Sequence, residues 1–272
     1  MREQAVQQAT DFLQESEALF AILDDISGDQ WEVPTQFKGW TLNDVLVHLH
    51  YWNQMADLSL QDPDAFTARV GALLVKAKAE GLRAAENEAI LLRGNELRDS
   101  WRTLYTDIGT RWADLDPKRR VKWAGPDMSV RSSITARQME TWAHGQEVFD
   151  VLGVERVEHD RVKNIVILGV NTFGWAYQVN GKPVPEAIPR LELTAPSGAL
   201  WEFGERGDNR ITGPAVEFAQ VSAQTRNIAD TSLKVDGPVA AEWMSIAQCF
   251  AGGRETPPAP RSRHRARGAQ IA

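Results

Sequence analysis

Residues 132–153 read SSITARQMETWAHGQEVFDVLG, and they set the frame for the rest of the chain. Ser132 or Ser133 can cap a helix that runs to Gly153. Glu140 and His144 stand four residues apart, so a helix puts a carboxylate and an imidazole one above the other on one face. Both groups are ordinary zinc ligands. Arg137 lies one turn earlier on the same stripe, within reach of Glu140. An E-x-x-x-H pair alone is common on solvated helix faces, and the large apolar residues Ile134, Trp142, Phe149 and Leu152 lie away from this stripe. The pair therefore becomes a metal site only if the stripe faces a cleft between helices.

Upstream, the pattern stays helical. Phe12, Leu13, Leu19, Phe20, Leu23 and Ile26 recur at helical spacing. After a loop with Pro34 and Gly39 comes GWTLNDVLVHLHYW, residues 39–52. Thr41 followed by Asp44 resembles a capping box with Asp in the usual Glu position. His48 and His50 fall about 200° apart on this helix. His48 lies beside Val45, Trp52 and Met55, on the flank of the apolar face. His50 shares a polar stripe with Asn43, Gln54 and Asp57 and is expected in solvent. Asp62-Pro63 starts a third helix through Val70, Leu73, Leu74 and Ala77. A fourth carries Leu97, Trp101, Leu104, Tyr105, Ile108, Trp112 and Leu115. The segment 121–130 reads as extended. These elements predict a helical bundle.

Beyond Gly153 a helix is expected over Asp160–Gln178, and then the period changes to two. Leu191 and Leu193 alternate with Glu192 and Thr194, a turn follows at Pro196-Ser197-Gly198, and Ala199, Trp201 and Phe203 alternate again, which predicts a β-hairpin. ITGPAVEF and VDGPVAAEW echo each other: a strand end, Gly-Pro, then a helix, with proline suited to a first helical turn. The fold class expected is α+β, a helical bundle followed by a smaller C-terminal α/β domain. The divisions are 1–153, 154–253 (a linker helix and the small domain), and 254–272, an Arg- and Pro-rich tail expected to be disordered.

Composition limits the functions open to such a chain. It has 272 residues, 43% hydrophobic and 25% charged, as in ordinary globular proteins. There is no apolar run long enough to span a membrane, and Met1 to Gln14 is polar and of mixed charge, unlike a signal peptide. The net charge is −7. The tail from Arg254 carries five arginines against one glutamate, so the rest of the chain is at −11. An acidic body argues against nucleic acid as a partner. The single cysteine, Cys249, excludes an internal disulfide and any Cys-rich zinc site. It sits in an apolar helix, where a buried inert thiol is expected. A metal site must therefore draw on five histidines and on carboxylates. His159 and His264 lie in charged or tail segments and are given no role.

The segments GWTLNDVLVHLHYW and SSITARQMETWAHGQEVFDVLG resemble the mycothiol-dependent maleylpyruvate isomerase-like family. Its N-terminal part is a DinB-like four-helix metal-binding domain. The family pattern of Gly-Trp-Thr, a helix stretch ending in His-Leu, and a later Glu-x-x-x-His is met here by Gly39-Trp40-Thr41, His48-Leu49, and Glu140 with His144. RLELTAPSGALWEFGE and the two Gly-Pro segments are similar to the small α/β domain that many members carry. The resemblance covers roughly residues 5–253. It implies a divalent metal, by preference zinc, held by His48, Glu140 and His144, with a position open for water or a thiol. It also implies mycothiol as the thiol cofactor, and a small electrophilic substrate handled by isomerisation or S-transfer. In the isomerisation a thiolate adds to an activated double bond, the resulting single bond rotates, and elimination gives the trans isomer.

The family also uses an arginine. Neither Arg83 nor Arg93 is anchored by a motif, whereas Arg137 is anchored but is placed to orient Glu140. Trp40, Trp52 and Trp142 lie near the ligands in sequence and are candidates to wall the cleft. The expected setting is cytoplasmic, with a small-molecule substrate and no membrane or nucleic-acid partner. A thiol-independent enzyme of specialised metabolism on the same scaffold, or a non-catalytic metal-binding protein, also fits the residues.

Overall fold

The computed structural model describes residues 6–266. The described residues divide into two compact units, the first ending at Val151 and the second beginning at Leu152.

The first unit is built from helices α1 (Gln7–Leu23), α2 (Leu42–Gln61), α3 (Pro63–Glu80), α4 (Leu82–Ala89), α5 (Gly94–Ala113) and α6 (Val130–Leu152). A two-residue antiparallel ladder, β1 (Arg120–Val121) with β2 (Met128–Ser129), lies between α5 and α6. The boundaries follow local chemistry. At the start of α2, Thr41 Oγ1 accepts from the Asp44 amide at 3.1 Å and Asp44 Oδ2 accepts from the Thr41 amide at 2.9 Å, the expected box. Asp62 caps α3 with Pro63 at its first position. Helix α6 begins earlier than Ser132, because Ser129 Oγ takes the Ser132 amide at 3.1 Å and frees the chain to turn helical at Val130.

Helices α1 and α5 pack closely. Gly109 permits this, since a Cβ there would stand 3.0 Å from Leu13 Cβ. Helix α2 is central, with fifteen of its twenty residues buried. Its contacts with α3, α4 and α5 leave almost no solvent face.

In the second unit the expected helix over 160–178 is broken at Thr172. A 3-10 turn leads into α7 (Lys163–Asn171), and α8 (Phe173–Val179) follows. The strands are β3 (Arg190–Thr194), β4 (Leu200–Phe203), β5 (Arg210–Pro214) and, after α9 (Ala215–Ser222), β6 (Lys234–Asp236), which leads to α10 (Pro238–Ile246). They form one sheet in the order β4-β3-β5-β6, with β3 and β5 parallel and the other pairs antiparallel. The β3–β4 hairpin sets Leu193 opposite Trp201. Leu191, Leu193, Trp201 and Ile211 fill one buried face, as the period of two requires. Both Gly-Pro segments are strand-to-helix turns. Gly213 and Gly237 sit at φ +138° and +84°, where a side chain is strained, and at Gly237 a Cβ would also strike Asn209 and Asp208. Trp243 of α10 anchors the unit's core against Phe173 and Phe218.

Residues 254–266 carry no regular secondary structure, yet they are tied down rather than disordered as expected. The carbonyl of Pro258 accepts from Asn227 at 2.7 Å, the Arg261 amide donates to Asp230 at 2.8 Å, and Arg263 donates to the Gln224 carbonyl at 2.7 Å. The Asn227 and Asp230 side chains and the Gln224 carbonyl thus compensate for the missing apolar residues. The rest of the expected tail, 267–272, lies outside the described residues. Cys249 is buried, as expected, but α10 ends at Ile246, so it lies in the segment after the helix and not in the helix itself. Among the described residues no helix is long and apolar enough to cross a membrane.

Candidate metal centre

His48 of α2 and Glu140 and His144 of α6 converge. One ligand atom from each lies within 4.8 Å of the others. Glu140 Oε2 is 3.4 Å from His48 Nε2 and 3.2 Å from His144 Nε2. Two atoms bound about 2.0–2.1 Å from one tetrahedral ion stand roughly 3.4 Å apart, so the spacing and the donor types both suit a zinc-sized cation.

Aromatic rings enclose the imidazoles. Trp40 lies parallel to His144, with centroids 5.6 Å apart and planes 1° from coplanar, and its ring is 5.4 Å from His48. Phe37 meets His144 edge-on at 5.0 Å. The turn between these two aromatics explains how both arrive on one side. The Trp40 amide donates to the Phe37 carbonyl at 2.9 Å, and the central residues Lys38 and Gly39 both take positive φ, +52° and +66°. Such a turn reverses the chain tightly, with glycine favoured in its centre. Trp52 stands one turn beyond His48, its ring 6.4 Å away. Trp142 does not share this role. It is fully buried about 200° round α6 from both Glu140 and His144 and belongs to the bundle packing.

Arg137 is only 2% exposed. Its Nη2 is 3.8 Å from Glu140 Oε1, and its guanidinium lies 5.6 Å from the Trp123 ring. Nε and Nη1 are buried without a hydrogen-bond partner among the described residues. Arg83 and Arg93 lie elsewhere: Arg83 pairs with Asp44 and the Gly39 carbonyl, and Arg93 binds Asn87 at the end of α4 and the carbonyls of Ile90 and Leu92 beyond it.

Electrostatics separate the site's groups. Burial alone would lower the His48 pKa, but the charges and hydrogen bonds of Glu86 and Glu140 prevail and raise it to about 9. Glu140 is pushed up by burial, yet hydrogen bonds from His144 and His48 and the charges of His48 and Arg137 hold it well below the usual carboxylate range. His144 is lowered, chiefly by burial, with Glu140 opposing. His144 is therefore neutral, while His48 carries a proton that a cation would displace.

Sequence reasoning missed Glu86. It sits on α4, is 1% exposed, and its two oxygens lie 3.0 and 3.1 Å from His48 Nδ1. It also accepts from Trp52 Nε1 at 2.7 Å. Only Ala85 and Glu86 of this eight-residue helix are buried, so no apolar period marks it. His50 is a second difference. It is 3% exposed, with Nε2 at 2.9 Å from Gln54 Nε2 and 3.5 Å from Ser100 Oγ. The supposed solvent stripe of α2 instead faces other elements of the bundle: Asn43 binds the Gly94 amide, and Asp57 accepts from Trp112 and Arg111.

The family model described as "Mycothiol maleylpyruvate isomerase N-terminal domain" matches residues 12–149. The chain belongs to this family. Among its relatives are uncharacterized proteins from two strains of Mycobacterium tuberculosis. Each is 33% identical over 243 residues, which is 89% of this chain and 94% of the relative. A crystal structure of a mutant of the mycothiol-dependent maleylpyruvate isomerase is similar over 80% of this chain and 88% of its own, with a TM-score of 0.50 and 16% identity. That likeness shows the fold: a helical N-terminal domain followed by an α/β region.

Proposed function

We propose that this protein is a metal-dependent, mycothiol-using isomerase or S-transferase acting on a small electrophilic substrate. The observation that carries the reading is the convergence of three donor atoms from two helices inside an aromatic enclosure, in a chain of this family. His48, Glu140 and His144 would hold a divalent metal, by preference zinc. When bound, the metal supplies the acidity that turns a thiol into a thiolate, its nucleophilic form.

The chain's own groups do the rest. Trp40 and Phe37 exclude water from the imidazoles and hold the His144 ring in place. Without the metal, Glu140 accepts from both imidazole Nε2 atoms, the atoms with which His48 and His144 would hold the cation, and Arg137 holds positive charge beside it. With both imidazoles neutral, Glu86, Glu140 and Arg137 give the buried cluster a net charge of −1. A divalent cation makes this +1, which suits one anionic ligand such as a thiolate. With only one buried cysteine, the reactive thiol is brought in as a cofactor. The absence of a second cysteine to pair with it fits a cytoplasmic setting.

The test is a turnover assay on zinc-loaded protein with maleylpyruvate and other small electrophiles, with and without mycothiol. Turnover that needs both zinc and the thiol is expected. Turnover that needs zinc but is indifferent to the thiol would overturn the thiol-using part of the proposal.

A further inference from the structure

The buried carboxylate of Glu86 lies outside the set of three ligand residues, yet it touches one of them directly. Both oxygens face His48 Nδ1, at 3.0 and 3.1 Å, while the other ring nitrogen, Nε2, faces Glu140 Oε2 at 3.4 Å. Glu86 therefore stands behind the His48 ring, on the far side from the convergence point. The Trp52 indole can only donate, and it donates to Glu86 Oε1 at 2.7 Å, which fixes that oxygen as an acceptor. His48 and Trp52 are four residues apart on α2, so one carboxylate from α4 clasps two adjacent turns of that helix.

We infer that Glu86 is a positioning residue: it holds His48 as the Nδ1–H tautomer, with its Nε2 lone pair aimed at the metal position. This rests on the metal-site reading above. The physical ground is that a buried carboxylate needs donors, and His48 Nδ1 can satisfy it only by carrying a proton. That leaves Nε2 as the sole nitrogen of His48 available to a cation. The hydrogen bond also fixes the ring's rotation and raises its basicity as a ligand, and loss of such partners typically costs roughly 10–100-fold in metal affinity. Trp52, by supplying Glu86 with a second donor, keeps the carboxylate aligned on the ring. Helix α4 thus has a function although it contributes no ligand.

The experiment is a competition titration of full-length, metal-stripped protein with Zn2+, in the parent, Glu86→Gln and Glu86→Asp. It is paired with 15N NMR of the His48 ring in the zinc-loaded forms and the visible spectrum of the Co2+-loaded forms. The parent should show a protonated Nδ1 and a metal-shifted Nε2. Glu86→Gln should bind Zn2+ roughly 10–100-fold more weakly, with an altered Co2+ spectrum and a His48 ring that no longer holds one tautomer. If Glu86→Gln does not fold, Glu86→Asp, which keeps the charge but is one methylene shorter, carries the test and should also weaken binding. A parent that binds Zn2+ while the folded variants match its affinity, spectrum and tautomer overturns the role of Glu86 and leaves the metal site standing. A parent that binds no Zn2+ overturns both.

Discussion

Two histidines two residues apart on α2 meet opposite environments. His48 and His50 are both buried, at 7% and 3% exposure. Around His48 stand two carboxylates, Glu86 and Glu140, and its pKa rises to about 9. Around His50 stand the neutral groups of Gln54 and Ser100, and burial lowers its pKa to about 4. Burial is common to both, so the carboxylates make the difference. A buried imidazole beside acceptors on two sides is held protonated, with its nitrogens fixed in direction, while one beside neutral groups is held uncharged.

The largest effect that could break this contrast concerns stability without metal. His48→Leu leaves Glu86 and Glu140 without a shared partner and is expected to destabilise the metal-free protein by about 3 kcal/mol. His50→Leu removes a ring whose Nδ1 has no hydrogen-bond partner among the described residues, and should change stability by less than about 1 kcal/mol. Urea denaturation in chelator measures both, and equal losses would erase the distinction.

Next is the dependence on pH. The folded pKa of His48 is raised, so its contribution is fully present below its unfolded value of 6.5 and is lost as pH rises through about 9. The folded pKa of His50 is lowered, so its contribution is present above 6.5 and is lost as pH falls toward about 4. Metal-free protein should therefore be most stable near pH 6.5, as far as these two groups decide it. His48→Leu should flatten the alkaline limb alone, and His50→Leu the acid limb alone. Metal binding should release one proton from His48, so that zinc affinity rises about tenfold per pH unit from 6.5 until about 9. A flat profile by calorimetry would mean that His48 is not protonated in the metal-free state.

The smallest effect sharpens the comparison from the helix start. Thr41→Ala removes the cap of α2 and should cost about 1 kcal/mol in thermal denaturation, with zinc affinity retained. The cap stands nearly two turns from His48, so a large fall in affinity would mean that the first turn positions the ligands.

How much of this was legible in the sequence differs from element to element. The bundle, the β3–β4 hairpin and the two Gly-Pro turns were readable because apolar spacing and turn residues carry them. Glu140 and His144 could be paired by helical spacing, but His48 joined them only through the family pattern. His50 was misplaced because the helical wheel assumes one solvent face, and α2, buried nearly all round, has none. Glu86 left no signal, since a short polar helix with one buried acid looks like any exposed one. The order found in 254–266 was hidden for a related reason, because hydrogen bonds to residues 224–230 leave no periodic trace.

The central claim is that His48, Glu140 and His144 hold one metal ion and that His50 takes no part. Zinc content after dialysis, measured for the parent, His144→Ala and His50→Leu, tests it most directly. The account predicts one zinc per chain in the parent and in His50→Leu, and loss of zinc from folded His144→Ala. A His144→Ala protein that retains as much zinc as the parent would contradict it.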